Sequence, residues 1–458
     1  MPNPATSAAA SVPHAASHLP SHPRARLACV VAAHLIVDLL SVVVIPILSV
    51  LEGRLSMTPS QGALLIASAS VSSGLIQPVV ALVSDRFDTR WLGTVGFLAA
   101  AICVGLVGYA QSFEQLLLLQ IIAAAGIGAF HPVGAAGAGQ LGGLRRARAI
   151  STFYAAGLAG GVMGAFLIPQ YVKHMGVEAL LWMLPLSVPF IIALMWGVHG
   201  VAHRSRSAHA EHAALSATER TSRWRDVWLL YSANALRFIV NMMLATLLIR
   251  WSELVAMDRA GATVLDQVLR TEASKLNGPL QAIMASGMGI SGLLMGLMIP
   301  QRLERTVLIA LPLMGSVAIL LFPVFAPSDG GNGPANIGLG VVGAGIVAFL
   351  AGIGYAGVMP LTITMAQRLL PHRTSLASGL MMGGAWSLAA CGPPLVQWML
   401  GTLTARTGSM TTAMAWCFVF VASLLAMSGL LGIPLGRRSQ PGATPEVASA
   451  PAPSRPRT

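Results

Sequence analysis

Twelve apolar segments, each long enough to cross a lipid bilayer, run along this chain and restrict its possible folds. A hydrocarbon core of about 30 Å needs roughly 20 apolar residues in a helix. Six segments lie in the first half of the chain, at 27–51, 61–83, 91–110, 115–138, 150–172 and 178–200. Six more follow, at 226–250, 278–299, 306–325, 338–362, 374–401 and 412–436. The sequence therefore predicts an all-α integral membrane protein with twelve transmembrane helices in two pseudo-symmetric six-helix bundles.

The composition agrees with a lipid environment. Of the 458 residues, 55% are hydrophobic and 10% are charged, which is too few charges for a soluble surface. The net charge of +12 does not indicate nucleic-acid binding, because the basic residues form short clusters between apolar segments and not one stripe with aromatic residues. The four cysteines show no CxxC or other metal-ligand spacing, so the sequence predicts no metal site, cofactor or disulfide.

The basic residues also predict an orientation. Of the 28 Lys and Arg residues, about twenty fall in gaps on one side of the membrane and about seven on the other, with Arg237 inside a segment. Cytoplasmic loops carry an excess of Lys and Arg, so both termini are expected in the cytoplasm of a cell inner membrane. The longest connection on the other side, 251–276, mixes charged with apolar residues and is predicted to hold a short interfacial helix.

Polar stretches divide the chain into domains. Residues 1–26 and 437–458 are rich in Ala, Ser and Pro and are predicted to be disordered cytoplasmic tails. The basic stretch 201–225 is predicted to be a cytoplasmic linker between an N-terminal bundle, 27–200, and a C-terminal bundle, 226–436.

The two halves share a weak internal repeat. HPVGAAGAGQLGGLRRARAISTFYAAGLAGG, which starts at His131, and MPLTITMAQRLLPHRTSLASGLMMGG, which starts at Met359, have a similar layout in which Pro132 corresponds to Pro360. Repeated halves are how many secondary transporters build a central site that can open to either side of the membrane.

Short motifs carry a family resemblance. VSDRFDTRW at 83–91 is similar to the loop between the second and third helices of the major facilitator superfamily, although Ala81 and Asp88 replace two of its glycines. Four further motifs resemble those of its fosmidomycin-resistance-type efflux proteins: HLIVD at 34–38, FHP at 130–132, LR at 236–237 and LLPHRTSLASGLMMG at 369–383. The resemblance implies the major facilitator fold, usually sufficient as a monomer, with the first and seventh helices lining a central cavity.

Asp38 and His34 are predicted to form a proton-coupling site. A charge in mid-membrane costs about 3 kcal/mol, and Asp38 lies deep in the first segment. His34 is four residues away and therefore shares its helix face, where an imidazole and a carboxylate can exchange a proton. The alternative is that His34 only solvates Asp38.

Arg237 is predicted to bind substrate. It lies deep in the seventh segment, and its charge needs a carboxylate, carbonyl dipoles, a wet cavity or an anionic substrate. Because the resemblance places the first and seventh helices at one cavity, we expect Asp38 and Arg237 to face each other. A substrate that competes for either residue would then change the proton affinity of Asp38, which is a physical route to antiport. The alternative is a fixed pair that only orients two helices.

His131 and a charged loop complete the candidate site residues. His131 precedes Pro132, which can break the fourth helix, so we predict that His131 binds substrate or relays a proton; capping of the helix end is the alternative. Asp85, Arg86 and Arg90 are predicted to form a cytoplasmic latch that rearranges as access alternates, with simple topogenic charge as the alternative.

Glycines in two segments are predicted to be helix-packing faces between the bundles. Gly157 and Gly161 lie at helical spacing in the fifth segment, and Gly383 and Gly384 lie in the eleventh. Without a side chain, such positions let two helix backbones approach closely.

The function predicted from these features is proton-coupled efflux of a small drug-like or metabolite compound by alternating access. The chain has no GxxxxGK[ST] loop, G-x-S-x-G elbow or HExxH motif, so no enzyme is predicted and the energy is expected from an ion gradient. Asp38 is the sole acidic residue deep in a segment, which favours protons over sodium. An uptake transporter or facilitator on the same fold is the alternative, and a transport-dead sensor is a further one.

Overall fold

The computed structural model describes residues 21–84, 90–200, 217–325, 337–370, 377 and 379–435. The regular elements of this part are helices, packed as an all-α integral membrane protein with six spans in each half. The fold class predicted from the sequence is confirmed.

In the part of the first half that the structure describes, seven α-helices form six spans. They are α1 (Pro23–Ser41), α2 (Val44–Arg54), α3 (Pro59–Ser84), α4 (Arg90–Leu106), α5 (Phe113–Leu141), α6 (Arg146–Met175) and α7 (Met183–Val198). The first span is interrupted between α1 and α2, at Val42 and Val43. The run of β-branched residues there disfavours helix, and Pro46 lacks the amide hydrogen that would bond the carbonyl of Val42.

The described residues of the second half form eight α-helices. They are α8 (Ala217–Ala260), α9 (Gln267–Met298), α10 (Glu304–Leu320), α11 (Ile337–Ala356), α12 (Met359–Leu369), α13 (Ala385–Leu388), α14 (Gly392–Thr407) and α15 (Met410–Leu430). The tenth span is α11 and α12 with a turn at Gly357 and Val358 between them. The eleventh span starts with π-helical residues Leu380–Gly384 and continues through α13 and α14.

Several predicted boundaries are wrong. Helix α8 begins at Ala217, so the last part of the predicted linker is helical. It also continues to Ala260, and α9 begins at Gln267, so the predicted interfacial helix in 251–276 is absent from these described residues. Helix α1 begins at Pro23, inside the predicted tail. The remaining tail and linker residues, 1–20, 201–216 and 436–458, lie outside the described residues.

Apolar side chains fill the bundles and also face outward. One buried cluster joins mainly α1 to α7, around residues such as Leu48, Phe97 and Phe130. A second joins helices of the second half, around Trp251 and Phe418. Within the described residues, ten helical segments are long and apolar enough, by length and composition alone, to cross a membrane. Large apolar side chains also cover the outside of the bundles, as expected for a surface in contact with lipid.

The two bundles meet along close backbone contacts. A Cβ atom on Gly74 of α3 would lie 2.8 Å from the carbonyl oxygen of Gly383, and one on Gly278 of α9 would lie 2.6 Å from that of Ala165 in α6. Only glycine fits such approaches. We call the membrane face at which α7 ends, at Val198, and α8 begins, at Ala217, the linker side. The opposite face is called the far side.

Candidate functional site

The site is built on α1, whose residues His34 and Asp38 point to one side of the helix. Nε2 of His34 lies 3.3 Å from Oδ2 of Asp38, within ion-pair distance but without hydrogen-bond geometry. Nδ1 of His34 lies 2.7 Å from the carbonyl oxygen of Phe153, and its ring stacks on the Phe153 ring with centroids 3.8 Å apart. The His34 side chain is 2% exposed, so α6 holds this imidazole in one orientation.

His131 reaches the same carboxylate from α5. Its Nε2 is 3.1 Å from Oδ1 of Asp38, and its Nδ1 is 2.8 Å from the carbonyl oxygen of Ile127. Helix α5 runs unbroken through Pro132 to Leu141, so the predicted helix break and the helix-end capping alternative are both wrong. One carboxylate therefore lies between two imidazole rings.

The hydrogen-bond partners determine the tautomers of both rings. A backbone carbonyl only accepts, so Nδ1 of His34 and Nδ1 of His131 each carry the hydrogen that is donated to it. In a neutral ring, Nε2 then has a lone pair, which would repel the carboxylate of Asp38. A proton on the nitrogen or on the oxygen turns each contact into an attraction. His34, Asp38 and His131, which we call the proton trio, thus provide two places for a proton.

Gly157 leaves the space in which the proton trio packs. A Cβ atom there would overlap the Asp38 carboxylate and lie 2.6 Å from Nε2 of His34. A Cβ atom on Gly161 would lie 3.9 Å from Val42, so the prediction of a face between bundles is wrong for both glycines, which pack α6 against α1 and its end. Gly383 packs against α3 of the other bundle, whereas a Cβ on Gly384 would lie 3.5 Å from Tyr231 in its own half.

Arg237 lies near the middle of α8 and is 1% exposed. None of its three guanidinium nitrogens has a hydrogen-bond partner among the described residues. Asn234 and Asn241, on the same helix face, do have partners: Asn234 donates to the carbonyl of Met381, and Asn241 accepts from the hydroxyl of Tyr355 at 3.0 Å. Arg237 is thus a buried cation without an internal counter-charge in the described part of the chain.

The predicted Asp38–Arg237 pair is not formed. The two carboxylate oxygens of Asp38 face the two imidazoles, and Arg237 has no ion-pair partner among the residues that the structure describes. The two charged groups therefore lie in different polar environments.

A second charged site, which sequence analysis missed, closes the far side between the bundles. Glu52 of α2 accepts two hydrogen bonds from Arg250 of α8, at 2.8 and 2.5 Å. Arg250 also donates to Glu253, at 2.9 Å, and Arg270 of α9 lies 3.6 Å from Glu52. We call these four residues the far-side network. In the sequence, Glu52 and Glu253 lie just past the ends of two apolar segments, each close to an arginine. That placement of acidic and basic residues on the same side of the membrane could have indicated an ion-pair network.

Helix α9 adds hydrogen bonds to the carbonyl oxygens of α2. Four donors with helical spacing bond four carbonyls: Gln267 to Val50 at 3.2 Å, Arg270 to Ser49 at 3.3 Å, Ser274 to Pro46 at 2.5 Å and Asn277 to Ile45 at 3.3 Å. These four bonds follow one face of α9 from Gln267 to Asn277. It joins the first bundle to the second on the far side.

The predicted latch lies mainly outside the described residues. Asp85 and Arg86 are among 85–89, which the structure does not describe, and Arg90 is the first residue of α4, whose side chain is not described. The latch stays a prediction.

Two six-span halves around buried polar groups define a membrane transporter. Residues 30–348 match the profile of the Major Facilitator Superfamily, and the chain belongs to this family. It is 22% identical over 366 residues to the fosmidomycin resistance protein of Escherichia coli (strain K12), covering 80% of this chain and 84% of that protein. It is 23% identical over 394 residues to an uncharacterized transporter of the family, YfnC of Bacillus subtilis (strain 168), covering 86% and 90%.

Solved structures agree with the fold. A bacterial homologue of the human lysosomal transporter Spinster, in an inward-facing and unoccupied conformation, matches with a TM-score of 0.67 at 15% identity over 93% of this chain and all of that one. The nucleoside transporter NupG matches with a TM-score of 0.63 at 16% identity over 90% and 98%. At these identities the likeness shows the fold alone. Membership of the Major Facilitator Superfamily makes the chain a multi-pass membrane transporter of small molecules rather than an enzyme.

Proposed function

We propose that this protein exports a small anionic compound from the cytoplasm in exchange for protons, by alternating access. The observation that carries the proposal is Arg237, a fully buried guanidinium with no partner among the described residues. Burying an uncompensated charge is costly, so a group that supplies a negative charge there gains several charge-assisted hydrogen bonds. A carboxylate or phosphonate of the transported compound fits this need.

The orientation follows from the basic residues. Most of the Lys and Arg residues lie in connections on the linker side, so we assign that side to the cytoplasm of the inner membrane. The far-side network and the α2–α9 hydrogen bonds then seal the outside. Asp38 and His131 remain 22% and 20% exposed, which supports a cavity that opens toward the cytoplasm.

In this proposal, the proton trio is the site that binds the coupling proton. Each Nε2–carboxylate contact becomes favourable when it holds a proton, as the tautomers require. Arg237 does not pair with Asp38, so we place coupling in the movement of the bundles and not in direct competition for one carboxylate. The hydroxyl of Tyr154, beside His34, contacts Sδ of Met382 at 3.6 Å, which links the trio to the π-helical segment of the other bundle.

The relatives support the direction of transport. The similar protein of Escherichia coli is named for fosmidomycin resistance, and export from the cytoplasm is a direct route to resistance. Fosmidomycin is therefore one compound to test among small anions.

The experiment is transport by the purified full-length protein in proteoliposomes, with lumenal pH and labelled anions followed together. An outward-directed anion flux that moves protons the other way supports the proposal. We expect Arg237→Ala to remove anion transport and Asp38→Asn to remove the pH signal, whereas Arg259→Ala, at an exposed arginine of the same helix, keeps both. Anion movement without a pH change in the wild type would contradict proton coupling, and uptake alone would favour the importer alternative.

A further inference from the structure

Three side chains of the proton trio converge as metal ligands do. Within the described residues, His34, Asp38 and His131 each offer one nitrogen or oxygen, and these atoms lie within 4.8 Å of one another. The two shortest separations are 3.1 Å, from His131 Nε2 to Asp38 Oδ1, and 3.3 Å, from His34 Nε2 to Asp38 Oδ2. Two ligands about 2.0–2.1 Å from a tetrahedral Zn²⁺ are about 3.3 Å apart, so small side-chain rotations complete the set.

Both imidazoles are held as they are in metal sites. A ligating histidine almost always donates its other ring N–H to a carbonyl or carboxylate, which fixes the tautomer and aims the remaining nitrogen at the metal. Here Nδ1 of His34 donates to the carbonyl of Phe153, and Nδ1 of His131 to that of Ile127. The two rings share this arrangement although they come from different helices. Each Nε2 is thereby left to act as a ligand.

A second observation, independent of the carbonyl contacts, also points to a ligand. Nε2 of His34 is buried and has no hydrogen-bond partner among the described residues, although Asp38 is near it. Buried polar atoms are nearly always bonded, so an orphaned nitrogen aimed into a cluster needs a partner. The absence of a side chain at Gly157 lets His34 and Asp38 pack directly against the α6 backbone.

We propose that His34, Asp38 and His131 form a binding site for a divalent transition-metal ion of the zinc class. Two imidazoles and one carboxylate suit Zn²⁺, Co²⁺ or Ni²⁺ and not the all-oxygen shells of Mg²⁺ or Ca²⁺. The partial exposure of Asp38 and His131 gives the ion a route in from the cavity and leaves its fourth position to water or another ligand.

The bound ion regulates the transporter. It takes the same nitrogen and oxygen atoms that the protons use in the proposed function, so ion and proton exclude each other and the ion inhibits transport. This regulatory step rests on the proposed function. The binding site itself does not.

Binding is tested on the purified full-length protein in detergent, with an affinity tag that lacks histidine. The probe is Co²⁺, whose visible absorption reports tetrahedral nitrogen and oxygen ligation, and Zn²⁺ titrated by calorimetry gives the number of sites. We expect one tight site in the wild type and its loss in His131→Ala and in Asp38→Asn, with affinity reduced by at least the roughly 10- to 100-fold that loss of supporting contacts alone produces.

His174→Ala is the matched control, because His174 is exposed at the other end of α6. It should bind as the wild type does, which shows that the loss of one exposed histidine does not by itself change binding. Equal Co²⁺ spectra and equal Zn²⁺ binding in the wild type, His131→Ala and Asp38→Asn would overturn the site.

X-ray absorption of the zinc-loaded wild type keeps the proposal testable if a variant does not fold. Two imidazole ligands in the first shell support the site, and a shell without imidazole overturns it. Zn²⁺ added to proteoliposomes should then lower transport in the wild type and in His174→Ala alike. Binding without inhibition overturns the regulatory step alone, and failure of transport in zinc-free vesicles bears on the proposed function and not on the metal site.

Discussion

Two arginines of α8 are both almost fully buried, yet their surroundings are opposite. Arg250, 5% exposed, donates to two carboxylates and has a second arginine near the same acids, so the far-side network is balanced in charge. Arg237, 1% exposed and roughly 20 Å away along the helix, has no partner among the described residues. The balanced arginine joins parts of the protein, whereas the unbalanced one is the residue to which the proposed function assigns the transported anion.

The largest effect should come from breaking the balanced site. Arg250→Met leaves Glu52 and Glu253 buried with only Arg270 nearby, at 3.6 and 4.0 Å. Removing one partner of a buried pair costs about 3–5 kcal/mol, so the free energy of unfolding should fall by that amount in detergent. Neutralising both acids as well, with Glu52→Gln and Glu253→Gln, should restore most of it. No loss in the single variant would mean that the two arginines do not differ as described.

The same substitution at the unbalanced site should act on transport and not on stability. Arg237→Met removes an unpaired buried charge, so the protein should melt at the same or a higher temperature. Anion transport should fall at least about 30-fold, equivalent to about 2 kcal/mol of lost charge pairing. The two quantities are measured by thermal unfolding and by flux in proteoliposomes. A destabilised Arg237→Met with normal transport would reverse the comparison.

An intermediate effect is expected next to the proton trio. Gly157→Ala places a methyl group against Asp38 and His34, and overpacking of this kind costs about 1–3 kcal/mol. The pH signal of transport should weaken, because the three side chains can no longer meet. Gly401→Ala is the control, since a Cβ there meets nothing within 4 Å. Equal behaviour of the two variants would show that the trio does not need this space.

The smallest effect should come from an exposed pair on the far side. Arg54 lies 2.5 Å from Glu178, but their side chains are 32% and 50% exposed. Exposed ion pairs are screened by water and contribute about 0.2–1 kcal/mol, so Arg54→Ala should lower the free energy of unfolding by no more than that. A loss as large as that of Arg250→Met would contradict burial as the reason for the difference.

The spans could be predicted from the sequence because apolar length decides them, but their ends could not. Helix α8 extends past both predicted ends because its charged terminal residues are helix formers, and Asp226, Arg250 and Glu253 are buried against neighbouring elements. No hydropathy window detects such contacts. The break at Val42 and Val43 was hidden in the same way, inside a continuous apolar run.

The candidate site was only partly accessible to sequence reasoning. Helical spacing was enough to join His34 to Asp38, because both lie on one helix face. His131 is 93 residues from Asp38 in the sequence, so their contact depends on how α5 packs against α1. The expected Asp38–Arg237 pair failed for the same reason, since membership of one cavity does not determine which side chains touch.

Four polar residues of α9 bond to main-chain oxygens of α2, and the Glu52 side chain, 3.6 Å from Arg270, adds an ion pair. The main-chain bonds on the far side are therefore insensitive to which apolar residues α2 presents to its other neighbours, as long as that backbone stays helical. Most apolar side chains of α2 can then be exchanged for other apolar side chains without loss of these hydrogen bonds. The far-side contact between α2 and α9 therefore depends on the four donor residues of α9 and on Glu52.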